Sequence, residues 1–572
     1  MNYQTPAIVA QGAVHRLPRV ALLMFCIAYV LPGFLGRVPW KSADMTSFGY
    51  MAELALGRTN WLSPRLLGLA PDGNALLPYW LGAWAMQIAP DWLAPDFAAR
   101  LPFVLLLILT LFATWYGTYY LARSPEAQPV AFAFGGEAQP TDYARALADG
   151  GLLAFIGCLG LAQLSHETTP ALAQLCFTAL TFYALAALPY RTVLPVLSGA
   201  LGLLGLALSG APAMAALFGA GSALIHWQAR STSPDKQLTP PLQGGFIIIS
   251  LTCLSALVAA GLNLWHWRID LPEASWTEWQ SLGRLLLWFT WPAWPLAVWT
   301  LWRWRLQLFR AGMPSRHLAL PLWFAAVAIS ATFTTSAADR SLLLALPALA
   351  ALAAFALPTL GRSVAALIDW FTLLFFSGCA LTIWVVWIAL QTGIPAQPAA
   401  NVARLAPGFE HSFSTAPFLI AISATLAWTW LVKWRVGRHR AAIWKSLVLP
   451  AGGAALCWLL LMTLWLPLLD YARSYAPLVQ SATQIMQPPD CAEAHGLSRS
   501  QIAAFQFHGH LVIKPAGPQD TCQWLIVEKD AAKTLSSFVN LSNWVLKSTV
   551  RHPSDRNENF YIYGRRADAI PL

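Results

Sequence analysis

The sequence predicts a polytopic α-helical membrane protein with a small α/β domain at its C-terminal end. Of the 572 residues, 57% are hydrophobic and 11% are charged, and the mean hydropathy is +0.52, whereas a soluble domain carries about 25% charged residues. Apolar runs recur as far as about residue 468, and the composition is more polar after that. These features exclude a soluble globular protein.

Apolar runs of roughly 17 to 25 residues give about thirteen predicted membrane spans. We expect the first to be an uncleaved span rather than a signal peptide, because no small-x-small cleavage site follows it. The approximate limits are residues 19–36, 101–122, 149–165, 169–188, 192–208, 211–228, 244–265, 284–302, 317–336, 341–358, 364–390, 415–433 and 446–468.

The basic residues indicate the orientation of these spans. The net charge is +10, but Arg and Lys cluster in short loops such as residues 303–316 and 433–445, which is the positive-inside pattern and does not indicate a nucleic-acid partner. With the N-terminus cytoplasmic, these clusters all fall inside. The first loop, residues 37–100, and a C-terminal domain, residues 471–572, then lie outside, and residues 1–470 form the membrane domain.

Two segments of the first outer loop are predicted to be interfacial helices. Residues 76–89 are apolar but too short to span the bilayer, and Pro78 interrupts them. Residues 47–56 have helical apolar spacing. Both are expected to lie along the membrane surface.

The C-terminal domain is predicted to mix strands and helices. Residues 503–507, 523–528 and 560–563 have strand-like composition, and residues 531–541 have helical spacing. Six of the eight cysteines lie in predicted spans, where packing is the expected role. Cys491 and Cys522 lie in the outer domain, and in an oxidising compartment two such cysteines are expected to form a disulfide.

Ionisable residues at the outer ends of the spans are the candidates for chemistry, because charge near the bilayer is costly. A carboxylate among them can act as a general base, and arginines can bind a phosphate and stabilise its developing charge. The set comprises Asp44, Glu53, Arg58, Arg65, Asp72, Arg100, His166, Glu167, His266, Arg268, Asp270, Asp339 and Arg340.

Each of these residues also has a structural interpretation. Asp44, with Thr46 and Ser47 close by, has the composition of a helix N-cap. Arg100 can mark the interface where a span begins, and His166 with Glu167 can satisfy a helix terminus. Arg340 can pair with Asp339. The residues taken singly leave both interpretations open.

An ordered set of motifs resembles the PMT superfamily of membrane glycosyltransferases, which have the GT-C fold, and within it the 4-amino-4-deoxy-L-arabinose lipid A transferase branch. That branch carries an Asp-Glu-x-x-Tyr-type motif, a Pro-Pro-Leu-x-x-Trp segment, an Ala-Ala-Arg-Leu-Pro span start, a Leu-Thr-Lys-Gly-Pro stretch and a Ser-x-x-Lys/Arg-x-x-Tyr-x-Leu-Pro block. The corresponding segments here are residues 44–48, 76–81, 98–102, 208–212 and 336–350.

The resemblance implies a function and a site. Asp44 would be the catalytic carboxylate, Arg65 and Arg340 would bind the donor phosphate, and Arg100 would assist. Asp72, His166 and Glu167 would face the acceptor or a divalent metal ion, which is an option in this branch rather than a rule. The donor would be a polyprenyl-phosphate sugar and the acceptor lipid A or another envelope glycan. Transfer, with inversion, would occur on the periplasmic face of a bacterial inner membrane.

Several positions depart from the pattern of the family. Met45 replaces the second acid of the Asp-Glu pair, Gly73 and Asn74 replace a Glu-Lys pair, Ser209 replaces a lysine, and Pro170 stands where an aspartate is common. These changes predict either a different sugar or acceptor, or a paralogue without activity. A transporter or flippase of lipid-linked sugars is the alternative from another class, but the charges lie at the outer boundary and not at mid-bilayer.

Overall fold

A computed structural model describes most of the chain. The described residues are all except 1–4, 229–239, 266–270, 272–274, 311–314, 336–337, 438–441, 488–490, 518–521, 556 and 567–572. The candidates His266, Arg268 and Asp270, and Ser336 of the last motif, lie outside the described residues.

Each of the thirteen predicted apolar segments contains a helix or a pair of helices. These are α1 (Arg19–Val30), α4 (Pro95–Ala122), α5 (Pro140–Gly157), α7 (Pro170–Ala187), α8 (Val193–Leu208), α9 (Pro212–Gln228), α10 (Pro241–Gly261), α11 (Trp276–Phe289) with α12 (Ala293–Arg303), α13 (Arg316–Thr332), α15 (Leu346–Ala356), α16 (Arg362–Thr392), α18 (Thr415–Val436) and α19 (Val448–Leu464).

Six helices in the described part of the chain are long and apolar enough to cross a membrane. They are Pro95–Ala122, Pro170–Ala187, Leu242–Gly261, Arg362–Thr392, Thr415–Val436 and Ile443–Leu464, and shorter apolar helices accompany them. The chain is therefore a multi-pass membrane protein, and the number thirteen stays a prediction.

Several predicted limits differ from the structure, and two of these differences have a clear physical reason. The helix predicted for residues 149–165 begins at Pro140 and ends at Gly157, because its first turns carry polar residues that an apolar search leaves out. The run 284–302 is broken between α11 and α12 at Pro292, which has no N–H to continue the helix. The carbonyls of Phe289 and Trp291 instead accept hydrogen bonds from Gly160 and Leu159.

Short helices lie between the long apolar helices and before the C-terminal domain. The first loop contains two helices. Helix α2 (Ala43–Ala55) includes most of the predicted segment 47–56, and α3 (Leu77–Ile88) coincides with the predicted segment 76–89. Other short helices are α6 (Leu161–Leu164), α14 (Ala338–Leu343), α17 (Ala396–Leu405), α20 (Leu466–Arg473) and α21 (Ala476–Ile485). Asp44 lies in the first turn of α2, where the helix dipole favours negative charge.

The C-terminal domain contains a mixed five-stranded sheet in the order β2-β1-β3-β5-β4. Its elements are β1 (Cys491–His495), α22 (Arg499–Gly509), β2 (Val512–Pro515), β3 (Trp524–Glu528), β4 (Trp544–Arg551) and β5 (Asn559–Arg565). The first three strands are parallel, and β5 pairs antiparallel with both β3 and β4. A disulfide joins Cys491 and Cys522, whose Cα atoms are 5.3 Å apart.

The sequence-based assignment of this domain is only partly correct. Strands β3 and β5 are where the sequence predicted them, but residues 503–507 form part of α22 and not a strand. The reason is a capping box in which Ser498 and Gln501 exchange hydrogen bonds, which starts a helix immediately before the apolar run. The segment predicted to be helical over 531–541 is a 3-10 helix, Asp530–Ser537.

The C-terminal domain packs against α2 through α22. The rings of Phe48 and Phe507 meet edge to face at 4.7 Å. At Gly49 the helices approach so closely that a Cβ would lie 2.6 Å from the Cβ of Ala503. Because α2 carries Asp44, the C-terminal domain helps to position the candidate site.

Candidate functional site

Asp44 is buried and accepts four hydrogen bonds, two on each carboxylate oxygen. Oδ1 accepts from the backbone N–H of Thr168 at 2.8 Å and from its hydroxyl at 2.6 Å. Oδ2 accepts from Nη2 of Arg37 at 2.8 Å and from the N–H of Trp40 at 3.2 Å. The first loop and the segment before α7 are thus joined through this one carboxylate, which has no acceptor position left over.

Arg37 is the cation that pairs with Asp44. Its side chain is completely buried, and Nη2 also donates to the carbonyl of His166 at 2.8 Å. The guanidinium carbon lies 4.6 Å from the ring centre of Trp40. Its Nε and Nη1 are buried and have no hydrogen-bond partner among the described residues, so this cation depends on Asp44 for charge compensation.

Glu167 lies beside this pair, in a line of four side chains that we call the outer relay. Nη1 of Arg473 donates to Oε1 of Gln163 at 2.6 Å, and Nε2 of Gln163 donates to Oε1 of Glu167 at 3.0 Å. Oε2 of Glu167 is 3.6 Å from Nη2 of Arg340 and accepts no hydrogen bond from the described residues. A buried carboxylate therefore lies between Arg340, which it meets directly, and Arg473, which it reaches through Gln163.

The electrostatic environment of Glu167 favours the protonated form. Burial is the main cause and raises the pKa of its carboxyl group, and the negative charge of Asp44 raises it further. The hydrogen bond from Gln163 and the charges of Arg340 and Arg37 oppose this increase. A carboxylate with a raised pKa binds a proton more readily at neutral pH, as a general base must.

Two further charged groups complete the cluster. The Arg100 side chain is 2% exposed and pairs with Asp96 at 3.0 Å, and the charges of Arg37, Asp44 and Asp470 act on it. Asp470 accepts a hydrogen bond from the indole of Trp40 at 2.7 Å. Burial raises the pKa of Asp470 to about 6, against the opposing charges of Arg37 and Arg100.

The structure thus brings together four of the predicted residues, Asp44, Arg100, Glu167 and Arg340. Sequence reasoning missed Arg37, Gln163, Asp470 and Arg473. Arg37, Asp470 and Arg473 follow closely on the ends of apolar runs, so the rule that selected the other candidates would also have selected them.

Arg65 and Asp72 lie elsewhere, contrary to the prediction of one shared site. Nη1 of Arg65 donates to the carbonyl of Gly68 at 3.0 Å. Asp72 is largely exposed and pairs with Arg499 of the C-terminal domain at 2.7 Å. Among the described residues, neither is hydrogen-bonded or ion-paired to the cluster. Both lie beyond the C-terminal end of α2, in a loop that folds towards the C-terminal domain. The spacing of residues along the sequence does not reveal the direction in which this loop folds.

His166, predicted to face the acceptor or a metal ion, is a packing residue. Its ring lies between Tyr29, Phe34 and Trp458, with centroid distances of 5.4, 4.9 and 4.8 Å. Nε2 is 3.0 Å from the carbonyl of Tyr29, and burial lowers the pKa of the imidazole to about 4. The described residues contain no group of three or more His, Cys, Asp or Glu side chains suited to a metal ion.

Three of the positions that depart from the predicted pattern, Gly73, Asn74 and Ser209, lie in adjoining segments. The N–H of Leu76 donates to the carbonyl of Leu208 at 2.8 Å, so the segment with Gly73 and Asn74 packs beside the one with Ser209. The amide of Asn74 donates to the carbonyl of Asn263 at 2.9 Å. The departures at Gly73, Asn74 and Ser209 therefore lie in one region, whereas Met45 follows Asp44 directly in α2 and Pro170 begins α7 close to Thr168. Met45 is fully buried.

Comparison with solved structures identifies the fold. The chain is similar to ArnT from Cupriavidus metallidurans bound to undecaprenyl phosphate, with a TM-score of 0.63, and to the same protein in the apo state, with a TM-score of 0.57. In both cases the identity is 12%, and the match covers 97% of this chain and 99% of that chain. No protein-family model and no curated protein matches the sequence. The predicted ArnT-like fold is confirmed.

Proposed function

We propose that this protein with an ArnT-like fold is a glycosyltransferase that uses a polyprenyl-phosphate-linked sugar as donor. It transfers the sugar to lipid A or another envelope glycan on the periplasmic face of the inner membrane. An acceptor oxygen forms the bond to the anomeric carbon and loses its proton. The bond from that carbon to the phosphate oxygen breaks, polyprenyl phosphate leaves, and the configuration inverts.

The outer relay is the observation that supports this proposal most strongly. A phosphate leaving group needs cations, and the relay has Arg340 and Arg473 at its two ends. The side chain of Arg340 is 34% exposed, so its guanidinium can reach a ligand while it stays beside Glu167. Arginine binds phosphate oxygens in a fixed, bidentate geometry.

Glu167 is the general base in this proposal, and Asp44 is a positioning residue. A base needs an oxygen that is free to accept a proton. Glu167 has such an oxygen in Oε2, which accepts no hydrogen bond from the described residues, whereas both oxygens of Asp44 already accept two hydrogen bonds each. Asp44 instead fixes Thr168 next to Glu167 in the sequence and raises the pKa of the base through its charge. We therefore propose Glu167 as the catalytic carboxylate in place of Asp44, which the sequence predicted for this role.

The local loss of charge around Asn74 and Ser209 supports a changed substrate more than a lost activity. Random decay would not spare the buried ion pair of Arg37 and Asp44, which is costly to keep without a role. We propose that the part of the donor sugar or acceptor that contacts these two segments differs from the corresponding part of the substrates of the ArnT branch.

Mass spectrometry of lipid A and surface glycans tests the proposal. A strain that lacks the protein is complemented with the wild type, with Glu167→Gln, or with Asp91→Asn, which changes an exposed acid of the first loop. We expect the wild type and Asp91→Asn to restore a species heavier by one sugar, and Glu167→Gln not to do so. Identical spectra with and without the wild-type protein, together with translocation of a lipid-linked sugar in vesicles, would instead establish a transporter.

The dependence of the rate on pH tests the assignment of Glu167. Because its pKa is raised, the rate of the wild type should increase with pH through a value above the usual Glu pKa of about 4.3. A Glu167→Asp variant should keep a similar profile with a lower rate. A profile that is unchanged in Glu167→Gln would contradict the assignment.

A further inference from the structure

A cavity lies between the first outer loop and the C-terminal domain. Its volume is about 640 Å³, within the usual range of about 300–1,000 Å³ for small-molecule sites. The loop contributes one wall and the C-terminal domain the other, through Gln506 of α22 and Val512 and Ile513 at β2. We call it the interdomain cavity.

The interdomain cavity is separate from the cluster around Asp44. Glu53, which lines it, is on the same helix as Asp44. The step from position 44 to position 53 corresponds to about 13 Å along the axis of α2 and about 180° around it. One ligand group therefore does not contact both sites from one face of the helix.

The cavity carries an excess of positive charge. Arg58 and Arg65 line it with one carboxylate, that of Glu53. Glu53 pairs with Arg58 at 3.3 Å, whereas Arg65 has no carboxylate partner among the described residues. A fixed guanidinium without an acid in contact is suited to a phosphate or carboxylate of a ligand.

The remaining wall presents groups that recognise a sugar. The Ser63 hydroxyl and the Gln506 amide line the cavity, and neither has a hydrogen-bond partner within the described part of the chain. The Thr59 hydroxyl accepts from the N–H of Arg65 at 2.7 Å and keeps its own proton to donate. Donors and acceptors beside apolar Leu67 and Ile513 match the alternating hydroxyl and C–H surfaces of a saccharide.

We propose that the interdomain cavity binds a phosphorylated saccharide, with the phosphate at Arg65 and Arg58 and the sugar against Ser63 and Gln506. In the transferase proposed above, this ligand is part of the glycan acceptor, and that last identification rests on the proposed function. Binding itself does not depend on catalysis, so the two proposals can fail separately.

Binding of glucosamine 1-phosphate to the full-length protein in lipid nanodiscs tests this proposal, with calorimetry as the readout. We expect Arg58→Gln/Arg65→Gln to bind this probe at least about tenfold more weakly, as for the loss of a charged hydrogen bond. Arg551→Gln, which removes an exposed charge from β4 of the same domain, should bind as the wild type does. Inorganic phosphate should bind more weakly than the phosphosugar, and glucosamine should show no binding.

Three results would overturn the proposal. One is equal affinity in the wild type and the double arginine variant. Another is equal affinity for inorganic phosphate and glucosamine 1-phosphate, which would leave an anion site without sugar recognition. The third is loss of binding in Arg340→Gln and not in the cavity variants, which would place the ligand at the outer relay. If the double variant does not fold, Gln506→Leu removes the amide alone and should weaken the phosphosugar several-fold while leaving phosphate binding unchanged.

Discussion

Replacing Asp44 by asparagine should destabilise the protein even though the two side chains have nearly the same size. The carboxylate faces four donors, from Arg37, Trp40 and Thr168. An asparagine offers one oxygen to two of them and turns an NH₂ group, itself a donor, towards the other two. It also removes the one carboxylate that forms an ion pair with the fully buried guanidinium of Arg37 in the described part of the chain.

The size of this effect follows from that unpaired cation. Breaking a buried ion pair by removal of one partner costs about 3–5 kcal/mol. At about 2.1 cal/mol/K per residue, the unfolding entropy of 572 residues is about 1.2 kcal/mol/K, so the expected decrease in Tm is about 3–4 °C. Removing both charges in Asp44→Asn/Arg37→Met should recover part of the loss, because the double variant contains no unpaired buried charge.

Thermal unfolding of the purified variants in one detergent measures this effect. Asp91→Asn makes the same chemical change at an exposed position and should alter stability by less than about 0.5 kcal/mol. The reasoning is refuted if Asp44→Asn unfolds at the temperature of the wild type, or if Arg37→Met makes the double variant less stable than Asp44→Asn.

Three further predictions concern packing, pH and the disulfide. Gly33→Ala should lower the free energy of unfolding by about 1–3 kcal/mol, because the added Cβ would lie 2.3 Å from the His166 ring and 2.6 Å from that of Trp458. Gly12→Ala is the control, since its Cβ would have no atom within 4 Å. Equal Tm values for the two variants would contradict the packing. Asp470 has a folded pKa of about 6, above its unfolded value, so its stabilising contribution is present below pH 4 and is lost as pH rises through 6. The Tm of Asp470→Asn should thus exceed that of the wild type at pH 8 and converge with it at low pH, and a constant difference would count against this. Loss of the 31-residue loop closure in Cys491→Ser/Cys522→Ser should cost about 3–4 kcal/mol, while Cys253→Ser, at an exposed cysteine, should leave the unfolding midpoint unchanged.

The membrane helices were the most predictable part of the structure. A helix that spans the bilayer requires a long apolar run, which few other structures share. It was less informative where helices break or begin in polar residues, as at Pro292 and Pro140. In the C-terminal domain, apolar residues 503–507 fit a strand or a helix equally well, and the capping box at Ser498 decided for the helix. Strands β1, β2 and β4 were missed because each depends on its neighbours in the sheet.

The candidate site was only partly predictable for a related reason. Topology placed Asp44, Arg100, Glu167 and Arg340 on one side of the membrane, but topology gives depth and not lateral position. Arg65 was predicted on the same side as these residues and yet lines the interdomain cavity, because the loop after α2 folds against α22. Two of the hydrogen bonds of Asp44 come from Thr168 in a distant segment of the chain, so that they are visible only in the structure.

A structure of this protein with undecaprenyl phosphate bound would show whether the outer relay binds the donor phosphate. We expect the phosphate to contact Arg340, beside Oε2 of Glu167 and within reach of Arg473. A phosphate bound by Arg58 and Arg65 in the interdomain cavity, with the outer relay empty, would contradict this expectation.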